Sequence, residues 1–173
     1  MLATQRWRLM VETEHAQSEE MRGASPAPDD HWRPHSGQFR ADPRRSDDPL
    51  VEQLLKVVTS EHTAIDVGAG GGRLALPLAL RCKRVVAVEP SSSMASVLLQ
   101  QAREHGIQNV SLVQARWEEA QVDPADLVLC SHVVYTVQEI ATFLRRLEAH
   151  ARRLVLLVLY NAPPQSQVYP LWK

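Results

Sequence analysis

The sequence predicts an α/β fold, with a doubly wound, mainly parallel sheet of strand order 3-2-1-4-5 and helices on both faces. Two features predict this fold. Short, continuous apolar runs alternate with amphipathic helical segments, which is the pattern of parallel strands buried on both faces. A glycine-rich turn also joins the first apolar run to a helical segment. Sheets of this kind bind ligands at the carboxyl ends of the strands, where the strand order reverses.

The predicted strands are apolar runs rich in Val, Ile and Leu. They cover residues 64–67, 85–88, 110–113, 127–130 and 154–159. The helices between them are predicted from their caps. Asp48 followed by Pro49 begins one helix, and the serines at 91–93 begin another that Gly106 ends. Thr136-x-x-Glu139 has the spacing of a capping box and predicts the start of a third helix.

The end of the first strand concentrates residues that favour a ligand site. This strand ends in Asp66, and glycines follow at Gly68, Gly70 and Gly72. Such a turn lets a ligand approach bare backbone and directs helix N–H groups at a negative charge. The second strand ends in Glu89, 21 residues after Gly68. A carboxylate at that distance suits the two hydroxyls of a ribose.

The glycine spacing distinguishes two classes of cofactor. The dinucleotide fingerprint G-x-G-x-x-G needs a third glycine for close packing of helix and strand, but Arg73 stands at that position. The pattern Asp66-x-Gly68-x-Gly70-x-Gly72, with Glu89 after it, resembles the class I S-adenosylmethionine (SAM) dependent methyltransferases. The run 126–132 is similar to their fourth strand and the loop that follows. The resemblance spans roughly residues 50–160 and indicates the small-molecule, type-11/12-like branch.

The resemblance implies SAM as cofactor, with S-adenosyl-L-homocysteine as its product. It assigns Asp66 to the ammonium group of SAM and Glu89 to the ribose. Arg116 stands where the family has an acid that meets the adenine amino group, and Trp117 would form an adenine wall by stacking. The implied cofactor-binding residues are Asp66, Gly68, Ala69, Gly70, Gly72, Glu89, Pro90, Met94, Arg116, Trp117 and Ser131.

The candidate catalytic residues are His132 and Tyr135, because they follow the fourth strand, where acceptor-side residues of the family lie. The sulfonium of SAM is already activated, so alignment supplies most of the acceleration. A base helps only when the acceptor must lose a proton, and imidazole, with an unperturbed pKa of about 6.5, suits that role.

Motifs that the sequence lacks exclude several classes of methyl acceptor. The fourth strand leads into Cys130-Ser-His-Val-Val-Tyr135, which is not the Asn/Asp-Pro-Pro-Tyr/Phe motif that clamps an exocyclic amine. Asn161-Ala-Pro-Pro164 follows the fifth strand instead, and Cys130 is expected to be a buried strand residue. We see neither a Lys/Arg track nor an acidic cluster suited to Mg²⁺. The expected partners are SAM and an unidentified small molecule or protein side chain, with no nucleic acid and no membrane.

Composition is consistent with one domain that acts in the cytoplasm. The 173 residues are 45% hydrophobic, and 19 basic and 20 acidic residues give a net charge of −1, which excludes a strongly basic nucleic-acid binder. Cys82 and Cys130 form no disulfide framework or metal pattern. The longest apolar run is far too short to span a bilayer, and the first residues do not resemble a signal peptide.

The chain divides into an N-terminal arm, residues 1–49, and a SAM-binding domain, residues 50–173. Residues 1–22 are predicted to form a short helix, although their apolar periodicity is poor. Residues 23–49 contain five prolines and no Leu, Ile, Val or Met, so we expect either a flexible arm or a lid anchored by Trp32 and Phe39.

The C-terminal side departs from the family pattern. The 13 residues from Asn161 to Lys173, beyond the fifth strand, have no room for the usual helix and last two strands. We therefore expect the fifth strand to be an exposed edge, a surface for a homodimer. Two alternatives to an active methyltransferase stay open: an NAD(P)-dependent oxidoreductase, and a truncated, non-catalytic SAM-binding module.

Overall fold

A computed structural model of the chain describes residues 1–24, 26 and 28–160. At its centre is a five-stranded parallel sheet of order β3-β2-β1-β4-β5, which confirms the predicted fold class and strand order. Val67 is in register with Val88 on one side and Cys130 on the other, so the carboxyl ends of the three central strands lie side by side. The strands are β1 Thr63–Val67, β2 Arg84–Val88, β3 Val110–Val113, β4 Ala125–Ser131 and β5 Ala151–Val158.

In the described part of the chain, five α-helices surround the sheet, and local capping explains where two of them begin. The Asp48 side chain accepts from the backbone N of Leu50 at 3.1 Å, and Ser91 Oγ accepts from Met94 N at 3.1 Å, as predicted. Gly106, with φ 68°, ends the second of these helices. The helices are α1 Ala3–Arg22, α2 Pro49–Val57, α3 Ala75–Ala79, α4 Ser92–Glu104 and α5 Ile140–His150, with 3₁₀ turns at Ser36–Phe39 and Val134–Thr136.

The capping box predicted at Thr136 and Glu139 is wrong. Thr136 lies in a 3₁₀ turn, and α5 begins only after Glu139 without a side-chain cap. The Glu139 carboxylate pairs instead with Arg8 of α1, while Trp7 Nε1 donates to the carbonyl of Val137 at 2.7 Å. Contacts from the start of the chain therefore replace the local cap.

Helix α1 is longer than its sequence pattern predicts, with 20 residues. Its apolar anchor is Val11, which is fully buried, and Trp7 packs against the core on the α5 side of the sheet. Such a helix gains its stability from tertiary packing rather than from its own periodicity.

The core lies in two clusters on opposite faces of the sheet. Ala64, Leu127 and Leu129 face α2, α3 and α4. Ile65 and Val128 face α5 and the connection between β3 and β4. Neighbouring residues of a strand point to opposite faces, so burial on both faces explains why the strands read as continuous apolar runs.

Strand β5 is an edge of the described sheet, and Leu157 is 38% exposed there. The expectations about a missing helix and missing strands, and about Asn161-Ala-Pro-Pro164, concern residues 161–173, which lie outside the described residues. The homodimer stays a prediction. Within the part of the chain that is described, no helix is long and apolar enough to cross a membrane.

Candidate active site

Glu89 is held at the carboxyl end of β2 by two backbone amides. Its Oε2 accepts from Gly70 N at 2.8 Å, and its Oε1 accepts from Ser91 N at 2.8 Å. The residue is 5% exposed, and burial raises the pKa of its carboxyl although both amides lower it. A carboxylate has about four lone-pair positions, so one on each oxygen stays free for a pair of hydroxyls.

The glycines of the loop after β1 have different structural roles. Gly68 (φ 71°) and Gly72 (φ 91°) are in the left-handed region, and a Cβ at either would run into a neighbouring side chain, Val133 or Leu76. Gly70, with φ 54°, has no atom within 4 Å of the place a Cβ would take. Gly70 is therefore the point where a ligand can approach the backbone of this loop.

Asp66 is the penultimate residue of β1, just before the glycine loop, and is 2% exposed. Burial and the nearby charge of Glu89 raise the pKa of its carboxyl to about 7, while the amide of Ala75 opposes the shift. A carboxyl in this state ionises when a cation arrives beside it. Asp66 thus suits an ammonium group.

The loop after β4 packs directly on the glycine loop, because the Val133 side chain fills the space beside Gly68. His132 precedes it with φ 58°, the one non-glycine residue of the described chain in the left-handed region. Its backbone N donates to Val158 O at 3.0 Å, which ties the loop to the end of β5. Its Nδ1 lies 3.0 Å from the Tyr135 hydroxyl.

Comparison with known proteins agrees with this geometry. A family model described as a methyltransferase domain matches residues 65–158, more than half of the chain. This chain belongs to the class I SAM-dependent methyltransferases. The ubiquinone biosynthesis O-methyltransferase of Rickettsia felis is 30% identical over 152 residues, which are 82% of this chain and 60% of that protein. The chain spans about half the length of the curated relatives it matches.

Two solved structures share the fold. The YcgJ protein of Bacillus subtilis superimposes with a TM-score of 0.59 at 24% identity, covering 68% of this chain and 53% of that one. The TYW2 protein of M. jannaschii, solved in complex with AdoMet, gives a TM-score of 0.54 at 20% identity, covering 61% and 49%.

SAM is the cofactor of this family, and the residues present fit it. Gly70 leaves open space over bare backbone, Glu89 has free lone pairs at the end of β2, and Asp66 is a carboxyl poised to meet a cation. The structure brings these three together at the carboxyl ends of β1 and β2.

The remaining predicted cofactor residues lie around this centre in different environments. Ala69 is buried and donates its N–H to Val88 O at 3.1 Å. Ser131 is half-buried at the end of β4, and Pro90 is exposed between Glu89 and α4. Met94 is buried in α4, and Arg116 is exposed immediately before a turn. These assignments stay predictions.

Trp117 packs in the core on the α5 side of the sheet. It is 3% exposed, and its ring lies edge-on to His150 at 5.1 Å and under the guanidinium of Arg146 at 5.1 Å. His150 ends α5 immediately before β5, at the amino end of the strands. We therefore do not include Trp117 in the cofactor site proposed below.

Cys130 is fully buried in β4, as expected, and burial raises the pKa of its thiol to about 12. A thiol in this environment is not available as a nucleophile.

The N-terminal arm contributes two neighbours of the site: Asp30, which the sequence did not reveal, and Phe39, which was predicted as a lid anchor. Asp30 accepts from Ser91 Oγ and Ser93 N, each at 2.9 Å, beside the Glu89 carboxylate. Phe39 lies over Gly71, where its carbonyl oxygen is 2.7 Å from the place a Cβ would take. Asp30 sits in a proline-rich segment without an aliphatic anchor, so no local pattern could have placed it there.

Proposed function

We propose that this chain transfers a methyl group from SAM to a hydroxyl oxygen of a small molecule. The observation that carries the proposal is the Glu89 carboxylate, fixed by two amides beside the open face of Gly70. The O-methyltransferase name of the Rickettsia felis relative supports oxygen as the accepting atom. Binding at this site would use Asp66 for the ammonium group and Glu89 for the ribose.

When bound, SAM supplies an activated methyl group, so the chain mainly has to orient donor and acceptor. The glycine loop and Glu89 fix the donor at the carboxyl ends of β1 and β2. The loop that carries His132 and Tyr135 lies next to it through the contact of Val133 with Gly68. We place the acceptor hydroxyl on this loop.

His132 is in the right state to receive a proton. Burial and the charge of Arg73 lower the pKa of its imidazole, so the ring is neutral at pH 7. A hydroxyl acceptor must lose its proton as the new bond forms, and a positioned base typically contributes a factor of about 10² to 10⁴. The neutral imidazole supports the assignment of His132 to this step.

We further propose that residues 28–48 cover one side of the cofactor site, and that the protein acts in the cytoplasm. The contacts of Asp30 with the start of α4 and of Phe39 with Gly71 support the first proposal. The two buried free cysteines of the described chain support the second.

Titration calorimetry with SAM, S-adenosylhomocysteine, NAD and ATP tests the cofactor. We expect SAM and S-adenosylhomocysteine to bind and the other two not to bind. Glu89→Gln should weaken SAM binding by about 1.5–3 kcal/mol, roughly 10- to 150-fold, because an amide cannot accept from both backbone N–H groups and the ribose. Glu61→Gln, at an exposed position away from the site, is the matched control. NAD binding without SAM binding would contradict the proposal and favour the oxidoreductase alternative.

A non-catalytic SAM-binding module is the second candidate, because the chain spans only about half the length of its relatives. Methyl transfer from labelled SAM to a panel of phenols, peptides and RNA transcripts separates the two. Transfer to a phenol supports the leading proposal, and SAM binding without transfer to any of them supports the module.

A further inference from the structure

The Tyr135 hydroxyl connects the imidazole of His132 with the backbone of Tyr160. It lies 3.0 Å from His132 Nδ1 and accepts from Tyr160 N at 2.7 Å. The Tyr160 ring stacks on the imidazole with centroids 4.2 Å apart and planes 24° apart. We call these three residues the His–Tyr–Tyr cluster. His132 and Tyr135 follow β4, and Tyr160 follows β5.

The direction of the hydrogen bond between Tyr135 and His132 follows from the donors available. A phenol oxygen has one hydrogen to donate, and its oxygen already accepts the N–H of Tyr160. Among the residues that the structure describes, His132 Nδ1 is the acceptor within reach of that hydrogen. The hydroxyl therefore donates to Nδ1, and an N–H donated into its oxygen strengthens that bond.

The backbone at this position supports a functional role for the cluster. His132 adopts φ 58°, a left-handed conformation that is strained for a non-glycine residue and that clusters at functional sites. The bond from His132 N to Val158 O and the stack with Tyr160 hold it there. Val133, the next residue, packs against the loop that would carry the methyl donor.

We propose that Tyr135 and His132 form a proton relay for the acceptor hydroxyl, and that Tyr160 is the residue that positions both. This inference rests on the proposed methyl transfer and deepens it. It restricts the acceptor to a group that loses a proton, such as a hydroxyl. It also assigns a positioning role to Tyr160, which lies in no recognisable sequence motif.

The relay balances in atoms and charge. The acceptor O–H bond breaks, and its proton goes to the Tyr135 oxygen. The original phenolic proton goes to His132 Nδ1, which makes an imidazolium. The S–CH₃ bond of SAM breaks and an O–CH₃ bond forms, so the sulfonium becomes a neutral thioether. The positive charge moves from sulfur to imidazole, and no net charge is created.

Tyr160 acts through the other two residues. Its N–H stabilises negative charge on the Tyr135 oxygen while the proton is in transit, and its ring covers one face of the imidazole. Burial, and after it the charge of Arg73 in the glycine loop, lower the pKa of His132 and so favour the neutral imidazole before the reaction. Imidazole in that form has the lone pair at Nδ1 that the relay requires.

Nuclear magnetic resonance of ¹⁵N-histidine protein tests the relay without any acceptor. With His132 assigned by a His132→Gln variant, we expect Nδ1 at pH 7 to carry no proton and to be hydrogen-bonded. Tyr135→Phe should shift the Nδ1 resonance to that of a free, unbonded nitrogen. Tyr160→Phe keeps the ring and the backbone N–H, so it should leave the resonance unchanged. A protonated Nδ1 in the wild type would overturn the relay.

Turnover with the acceptor found in the panel gives the second readout. Tyr135→Phe should lower kcat about 10²-fold while KM for SAM is unchanged, and kcat of the variant should recover with rising pH as the acceptor ionises by itself. An unchanged kcat, or a loss that does not depend on pH, would assign Tyr135 a merely structural role. Failure of SAM to bind would refute the proposed function, whereas normal SAM binding with a protonated Nδ1 would refute the relay alone.

Discussion

Gly71→Ala is the substitution that most directly tests how the N-terminal arm is attached to the cofactor loop. Gly71 does not have a positive φ, so alanine suits its backbone. The added Cβ would lie 2.7 Å from the carbonyl oxygen of Phe39 and 3.1 Å from Val97. Because the closest atom belongs to backbone, it cannot move aside as a flexible side chain would, and the arm has to shift.

The size of the effect follows from this overlap. Inserting one methyl group into a packed contact typically costs about 1–3 kcal/mol. If the arm relieves the overlap by detaching, its opening equilibrium increases roughly 5- to 150-fold. The other contacts of the arm with α4 set how far it opens. They include the bond from Ser93 N to Asp30 and the ion pair of Arg40 with Glu104.

Hydrogen exchange measured by mass spectrometry is the assay. We expect peptides from residues 28–48 to exchange faster in Gly71→Ala by that factor, while peptides from β1 and β4 keep their wild-type rates. Gly37→Ala is the matched control, since Gly37 lies in the same arm, lacks a positive φ and has nothing within 4 Å of an added Cβ. SAM affinity measured on both variants then shows whether the arm covers the cofactor.

Two results would refute this reasoning. Equal exchange of the arm in Gly71→Ala, Gly37→Ala and the wild type would mean that Phe39 is not packed on the loop in solution. Faster exchange throughout the sheet in Gly71→Ala would mean that the overlap destabilises the whole fold and not the arm alone.

Two further predictions concern ionisable groups. SAM affinity should fall roughly tenfold per pH unit below about pH 7, because the pKa of Asp66 is raised to about 7 and its ionised form binds the ammonium group; calorimetry should show a flat profile for Asp66→Asn, and a flat wild-type profile would contradict the assignment. The pKa of Asp126 is lowered to about 2, first by hydrogen bonds from Thr63 and then by Arg152. Its ionised form therefore stabilises the fold above about pH 4, and this contribution is lost as the pH falls towards 2. Asp126→Asn should thus destabilise the protein in urea at neutral pH but scarcely at about pH 2, and equal destabilisation at both would argue against these bonds.

Local patterns were sufficient for the sheet and for the position of the glycine loop beside Glu89. Each predicted strand lies within or overlaps an observed one, and the caps at Asp48, Ser91 and Gly106 form as expected. These features depend on residues only a few positions apart, and crossovers between parallel strands have a fixed hand. Because the motif residues end neighbouring strands, the fold alone brings Glu89 to Gly70.

The capping box failed for the opposite reason. Glu139 is paired with Arg8, 131 residues away, and a pattern of four residues carries no information about such a partner. Trp117 follows β3, where the family resemblance predicts an adenine wall, and its ring is buried against His150 at the end of α5.

The sequence by itself determined the α/β sheet, its strand order and the acid–glycine–acid pattern of a methyltransferase, because these follow from periodicity and from residues adjacent in the chain. Only the tertiary structure decided what each glycine faces, where Asp30 and Phe39 lie, and that Tyr160 meets His132 and Tyr135. Those contacts join segments far apart in sequence, and local propensity does not encode them: packing of the whole chain selects which distant side chains come within hydrogen-bonding distance.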